Sequence, residues 1–431
     1  MIDTSDLPSG FPSITIHHCE TNRREPGYII LSIGKGVRAI SSQTDYEVLV
    51  ALDQRGNVAW YWESRESLMD VKLTQNNSLL VLTTDGCIQE IDFRGKILKK
   101  WSTPGRNPRK DEQAIEVDTL YFHHALQELP NGNISTLSVS KRSFPDYPLN
   151  QDDLNGVRGS RLLVGDTLVE FQRDGTIVNE FEFFDILDPY RFGYGIDGPF
   201  WARVGVVPNG ADWSHANGIC YDCSDDSWII TVRHQDCVIK VDRRSGHLRW
   251  ILGCPDGWNV PWNDKLLKPL GKVDWHWHSH DPSITSDGSI LLFDNGHSAA
   301  FPPSPRPDIK NCNSRAVLYH VDEASMTVKQ AWSYGGEDGK LPYSMYVSGA
   351  HELPASGNIF ITCGGITLTK DTKSRTNLPP LGHGSIELFE VTRDKDSEIL
   401  FHAEINNRDT DELEGWAAFR AEWVPSDFLS M

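Results

Sequence analysis

Apolar and polar positions along this chain alternate in short runs, and the runs recur as one unit. A short apolar strand ends in an acidic or polar residue, a tight turn follows, and an alternating strand closes, often on Trp. Six copies are readable: VLVALDQRGNVAWYW (48–62), CIQEIDFRGKILKKW (87–101), TLVEFQRDGTIVNEF (167–181), CVIKVDRRSGHLRWI (237–251), VLYHVDEASMTVKQAW (317–332) and IELFEVTRDKDSEILF (386–401). Gly56, Gly95, Gly175 and Gly246 fall where a hairpin turn needs a positive φ, and the last two copies use Ser- and Asp-rich turns instead.

A second hairpin precedes most of these: ALQELPNGNISTLSV (125–139), GICYDCSDDSWIITV (218–232), PSITSDGSILLFDN (282–295) and HELPASGNIFITCGG (351–365), with VKLTQNNSLLVLT (71–83) as a shorter relative. It is more apolar throughout, as strands covered on both faces are. Two hairpins make a four-stranded antiparallel sheet. The pattern therefore predicts an all-β fold, a six-bladed β-propeller with one domain spanning residues 1–431. The alternating, aromatic stretch GWAAFRAEWV (415–424) is expected to return to the N-terminal blade and close the ring, which removes open sheet edges. Long insertions at 140–160, 185–214, 253–275, 297–314 and 364–384 are expected to form loops gathered on one face, where chemistry is to be sought.

Charge narrows the partners. The net charge is −19 with no dense basic run, which argues against nucleic acid and requires a locally positive pocket for any anionic substrate. No apolar run reaches the ~18 residues of a membrane span, and MIDTSDLPSGFPSI has neither the basic nor the apolar region of a signal peptide, so no membrane contact and a cytoplasmic location are expected. A homodimer is the assembly this reading allows for. The eight cysteines are dispersed, and Cys220–Cys223 reads as ordinary strand-end residues rather than a zinc or redox motif.

Histidines fall at one place in the repeat. His124 precedes Gly132 by eight residues, His280 precedes Gly288 by eight, and His215 begins the equivalent strand; in the sixth unit Gly349 takes the matching place, with His351 two residues on. The starts of innermost strands ring the mouth of a central channel, so these side chains are expected to converge. Arg233, at the end of SWIITVR, is read as an anion clamp; the bland alternative is a salt bridge on an acidic chain, and Arg142 and Arg315 are weaker candidates of the same kind. WHWHSHDP (275–282) adds His276 and His278. With period two, His276, His278 and His280 share a strand face and form an alternative metal site.

At these residues the sequence resembles the bacterial arylsulfate sulfotransferases. FHHALQELPNGN (122–133), the stretch from DWSHANG to RWILG (212–253), SHDPSITSDGSILLFDNG (279–296), FRAE (419–422) and PGYIILS (26–32) carry the likeness across nearly the whole chain. The resemblance implies a six-bladed propeller and a nucleotide-independent sulfotransferase, which moves a sulfuryl group from an aryl sulfate ester to a phenolic acceptor. It implies His280 as the transiently sulfated nucleophile, with His124, His215 and Arg233 around it and no cofactor. Substrate contacts are expected from Asn217, His123, His278, His351, Trp213 and Trp275, with Trp258, Trp262 and Phe301 as further aromatic candidates. Small aromatic molecules are the expected partners. The chain departs from the family pattern in having no cysteine between Lys265 and Ser279, and Asp281-Pro282 after His280. Two other readings stay open. One is a metal-dependent lyase or hydrolase that uses a divalent ion and acts on a small aromatic or sulfur-containing substrate. The other is a non-catalytic binding propeller.

Overall fold

The computed structural model describes residue 2 and residues 7–35, 46–106, 113–369, 382–406 and 415–430. These form six sheets, antiparallel but for a two-residue parallel strand added to three of them. In the first, the order from the inside outward is Trp416–Val424, Tyr28–Lys35, Glu47–Leu52 and Val58–Ser64. The next four sheets begin with the innermost strands Leu68–Leu73, His123–Glu128, Ala216–Asp222 and His280–Ile284, and each meanders outward in chain order. The sixth runs from Gly349–Glu352 to Ile399–Asn406 and takes Ser13–Cys19 as its outermost strand. The innermost strands touch one another in that cyclic order and return to Trp416–Val424. The chain is a β-propeller, closed at both termini.

The sequence explains the layering. Second and third strands lie between neighbouring sheets, and Glu47–Leu52, Leu79–Thr83, Ser227–Val232 and Ile290–Asp294 are buried at every position. Both faces are covered, so these strands are continuously apolar rather than alternating. Outer strands keep an alternating exposure, as in Ile177–Glu182. The recurring Trp and turn Gly form a clasp between sheets. The indoles of Trp60, Trp101, Trp250 and Trp332 each donate to an atom of the next sheet's outer turn, at Phe93 O, Arg173 O, Glu323 Oε1 and Ser397 Oγ. At Gly95 a Cβ would collide with Trp62, so the positive φ and the close packing both call for glycine.

Two of the five insertions are not loops. Residues 140–148 and 158–160 extend the paired strands Ile134–Pro148 and Arg158–Phe171, and residues 364–369 and 382–384 extend Ile359–Thr369 and Gly382–Val391. Residues 370–381 lie outside the described ones. A meander nonetheless sends all five to one end of the ring. The start of the first strand, the second-to-third connection and the connection to the next sheet share that end. Cys220 and Cys223 make no disulfide.

Ring closure brings Trp416–Val424 against the bulged strand Ile359–Thr369, where a Cβ on Gly364 would strike the Ala418 carbonyl oxygen. Gly364→Ala is expected to destabilise the fold by about 1–3 kcal/mol, the usual range for overpacking, read as a lowered denaturant midpoint.

Candidate functional site

The inner strands of sheets three to five lose ladder register at their starts, between His123 and Leu126, Ala216 and Gly218, and His280 and Ser283. The backbone turns left-handed there, at His124 (φ +57°), His215 (+49°) and Asp281 (+57°). Left-handed non-glycine residues cost energy and are held only by their surroundings. Here they bring imidazoles together: the His124 and His215 ring centroids are 4.8 Å apart, and His280 is close enough to both to share their electrostatic field.

Each of the three rings has its Nδ1 side committed. His280 Nδ1 is 2.7 Å from Asn295 Oδ1. The Asn295 amide group itself donates to Ser344 O and Val347 O, which fixes Oδ1 as the acceptor and places the proton on His280 Nδ1. His215 Nδ1 lies 2.6 Å from Asp212 Oδ2. Asp212 is set by parallel pairing to Val164 and by the Trp201 indole, which donates to Oδ1 at 2.7 Å. His124 Nδ1 meets His123 Nδ1 at 2.8 Å, while His123 Nε2 donates to Ser138 O. In every case the Nε2 lone pair is left over. At His280 it accepts a long hydrogen bond, 3.2 Å, from the Val347 N–H.

Burial keeps these rings neutral. It lowers His280, His215 and His124 well below 6.5, and Arg233 adds to the effect at His280 and His215. Arg233 ends the buried strand Ser227–Val232. Its Nη1 donates to His234 Nε2 at 2.6 Å, and it has no carboxylate in ion-pairing distance among the described residues. Burial lowers its pKa only to about 10, so it stays a cation. Phe200 packs 5.2 Å from His124 and 4.9 Å from His215, and Phe419 lies 5.8 Å from His124; together they form an aromatic wall. On the loop side, a cleft lined by His297, Ser298, Arg306, Ile309 and Met345 approaches this cluster, and the His297 ring sits 5.3 Å from His278.

The other sequence candidates divide. Asn217 donates to Ser279 O and accepts from Thr231, so it braces the residue before His280. His123 braces His124. His278 bonds to Tyr194 O and stands beside Asp236. His351 lies further along the axis, 2.7 Å from Asp281 Oδ2. Trp213 is fully buried, stacked on Phe184, with its indole on Arg191 O, and Trp275 packs against the core between the fourth and fifth sheets. Trp213 is a core residue and Trp275 a half-buried one packed on the core, and neither lines the loop-side cleft. Trp258 and Phe301 flank the Arg191 guanidinium, and Trp262 bonds to Ile186 O. Arg142 pairs with Glu182 and Asp185, and Arg315 with Asp294.

The shared strand face for His276, His278 and His280 does not form. The strand begins only at His280, and His276 is tied to Leu252 O and Ser279 in the core. Atoms of Asp212, His215 and His234 do lie within 4.8 Å of one another. The set suits a divalent ion poorly, because His234 Nε2 already accepts from a guanidinium. Asn295, Asp212, Phe200 and Phe419 were not singled out from the sequence. Asp212, Asn295 and Phe419 lie within the stretches that carry the family likeness, and Phe200 lies outside them.

His280 is therefore expected to remain neutral from neutral pH down to 6.5, with its proton on Nδ1. Nitrogen NMR of histidine-labelled protein reads this directly; a half-protonated ring at pH 6.5 would contradict it.

Comparison with known proteins bears on this site. The arylsulfate sulfotransferase AssT of Escherichia coli O6:H1 is 32% identical over 317 residues, 64% of this chain and 48% of the relative. The protein of the same name from Lelliottia amnigena is 30% identical over 287 residues, 57% of this chain and 45% of the relative. The chain thus spans about half the length of the curated relatives it matches. A Bacteroides caccae crystal structure of unknown function aligns over 93% of this chain and 99% of its own, at 9% identity and a TM-score of 0.48. The arylsulfotransferase (ASST) family model matches residues 26–415, and the chain belongs to that family.

Proposed function

We propose that this protein transfers a sulfuryl group from an aryl sulfate ester to a phenolic acceptor through a sulfated His280, without a nucleotide or metal. The observation that carries the reading is the pairing of a neutral imidazole, its Nδ1–H held by Asn295, with a nearby cation, Arg233, that has no carboxylate in ion-pairing distance among the described residues.

His280 Nε2 attacks sulfur, the N–S bond forms and the sulfur–aryl oxygen bond breaks, and the phenolate departs. The ring is left positively charged, with Nδ1–H still on Asn295 Oδ1. Negative charge grows on the sulfuryl oxygens beside Arg233, and the Val347 N–H that met Nε2 is placed to meet an oxygen of the transferred group. In the second step the acceptor's hydroxyl gives its proton to His215 Nε2, and its oxygen displaces His280 from sulfur. Asp212 stabilises the resulting imidazolium. That proton returns to the next departing phenolate. Phe200 and Phe419 supply faces for the aromatic ring.

Incubation with an aryl sulfate, followed by rapid digestion and mass spectrometry, is expected to find one sulfuryl group on the His280 peptide. His280→Asn is expected to abolish both the label and transfer; full transfer by that variant would end the proposal. Arg233→Met is expected to lower kcat by about 100- to 1,000-fold, as loss of one oxyanion donor does.

The pH dependence follows from Asp212, which burial raises to about 6. Its ionised form supports the protonated His215, so activity should be full above that pH and fall as pH drops through about 6. Asp212→Asn should slow turnover and remove this acid limb from the kcat profile. An unchanged limb would assign it to another group.

A further inference from the structure

The centre of the ring holds a charge cluster that the proposed reaction does not use. Arg420 lies on the ring-closing strand Trp416–Val424 and its side chain is 2% exposed. Nη1 donates to Asp281 Oδ1 at 2.9 Å. Nη2 donates to two main-chain oxygens, of His124 at 2.9 Å and of Asn217 at 2.8 Å. Nε lies 3.5 Å from Asp70 Oδ1. The other Asp281 oxygen reaches His351, in space that exists because a Cβ on Gly349 would collide with it.

Three of these partners are tied closely to a candidate catalytic imidazole. Asp281 follows His280. One carbonyl is that of His124 itself. Asn217 stands two residues after His215, and its side chain holds the Ser279 carbonyl just before His280. All sit where the ladders of the three inner strands lose register and the backbone turns left-handed. Ladder hydrogen bonds do not fix the chain at such points, so another constraint must. A planar guanidinium, whose donors point in fixed directions, is the side chain suited to hold a carboxylate and two carbonyls at once.

We propose that Arg420 is a positioning residue: one buried guanidinium locks the starts of three inner strands, so that His280, His124 and His215 align only once the C-terminal strand has closed the ring. The effect on rate rests on the sulfuryl-transfer reading; the effect on the imidazoles rests on geometry alone.

The test uses full-length Arg420→Ala and Arg420→Lys. Diethylpyrocarbonate modification is followed peptide by peptide, with the exposed His17 and His18 as internal references. In the Ala variant the reactivities of His280 and His124 are expected to shift by about tenfold relative to those references. kcat is expected to fall by about 100-fold, with KM changed far less, as misalignment of reacting groups predicts. Arg420→Lys keeps a charge for Asp281 but loses the fork, and should fall in between. A folded Ala variant with wild-type reactivity at both rings would overturn the proposal. If the Ala variant does not fold, wild-type reactivity and kcat in the Lys variant would overturn it. If the wild-type protein transfers no sulfuryl group but reactivity still shifts, the transfer reading fails and the positioning role stands.

Discussion

Closure of the ring is the constraint on which the rest of the structure depends. Its second and third strands are buried on both faces only because each sheet has a neighbour on either side, and an open ring would strip one cover from strands such as Glu47–Leu52. Fully burying one aliphatic side chain contributes about 1.5–3 kcal/mol, so a handful of exposed strand positions would match the whole stability of an ordinary domain. Both termini guard against this. Residues 13–19 pair into the last sheet and residues 416–424 into the first. The site lies at the starts of the innermost strands, which the closed ring holds against one another, so the forces that close the core also set the distances between the imidazoles.

Much of the fold was legible in the sequence because its repeat is enforced by local chemistry. A turn glycine and an outer-strand Trp recur because each turn packs under the preceding sheet, and those residues are visible one unit at a time. The two hairpin extensions were not legible. Residues 140–160 and 364–384 are rich in Pro, Gly and charged residues that read as turns, although the strands they extend bury Tyr147 and Ile366.

The site was legible where it repeats and illegible where it does not. His124, His215 and His280 stand out through a shared offset. Asn295 is one Asn before a Gly, a pattern that reads as a turn, and its role comes from two carbonyls brought in from residues 344 and 347. WHWHSHDP misled for a related reason. Period-two histidines imply a shared face only if the segment is extended, and residues 272–279 form no strand. Trp213 and Trp275 were read as pocket walls because aromatic loop residues often are, but on a ring this tightly packed they fill the seams between sheets.

Burial does two jobs at the site, and they reinforce each other. It keeps His280 unprotonated, as the proposed nucleophilic role requires, and it strengthens the field of Arg233 by excluding water. The net charge of −19 would repel an anionic ester at long range, but salt screens such charges beyond about 10 Å at 0.1 M. A screened surface and a half-buried, largely desolvated cation are not competing terms of equal weight. For an ester bound as proposed, the guanidinium that follows Ser227–Val232 would dominate, because no carboxylate among the described residues lies within ion-pairing distance of it. Arg142 and Arg315, which have such carboxylates, are neutralised in place. A paired carboxylate marks Arg142 and Arg315 as structural cations, while Arg191, which has none in ion-pairing distance among the described residues, is held instead by the Gln235 and Asp256 carbonyls between two aromatic rings.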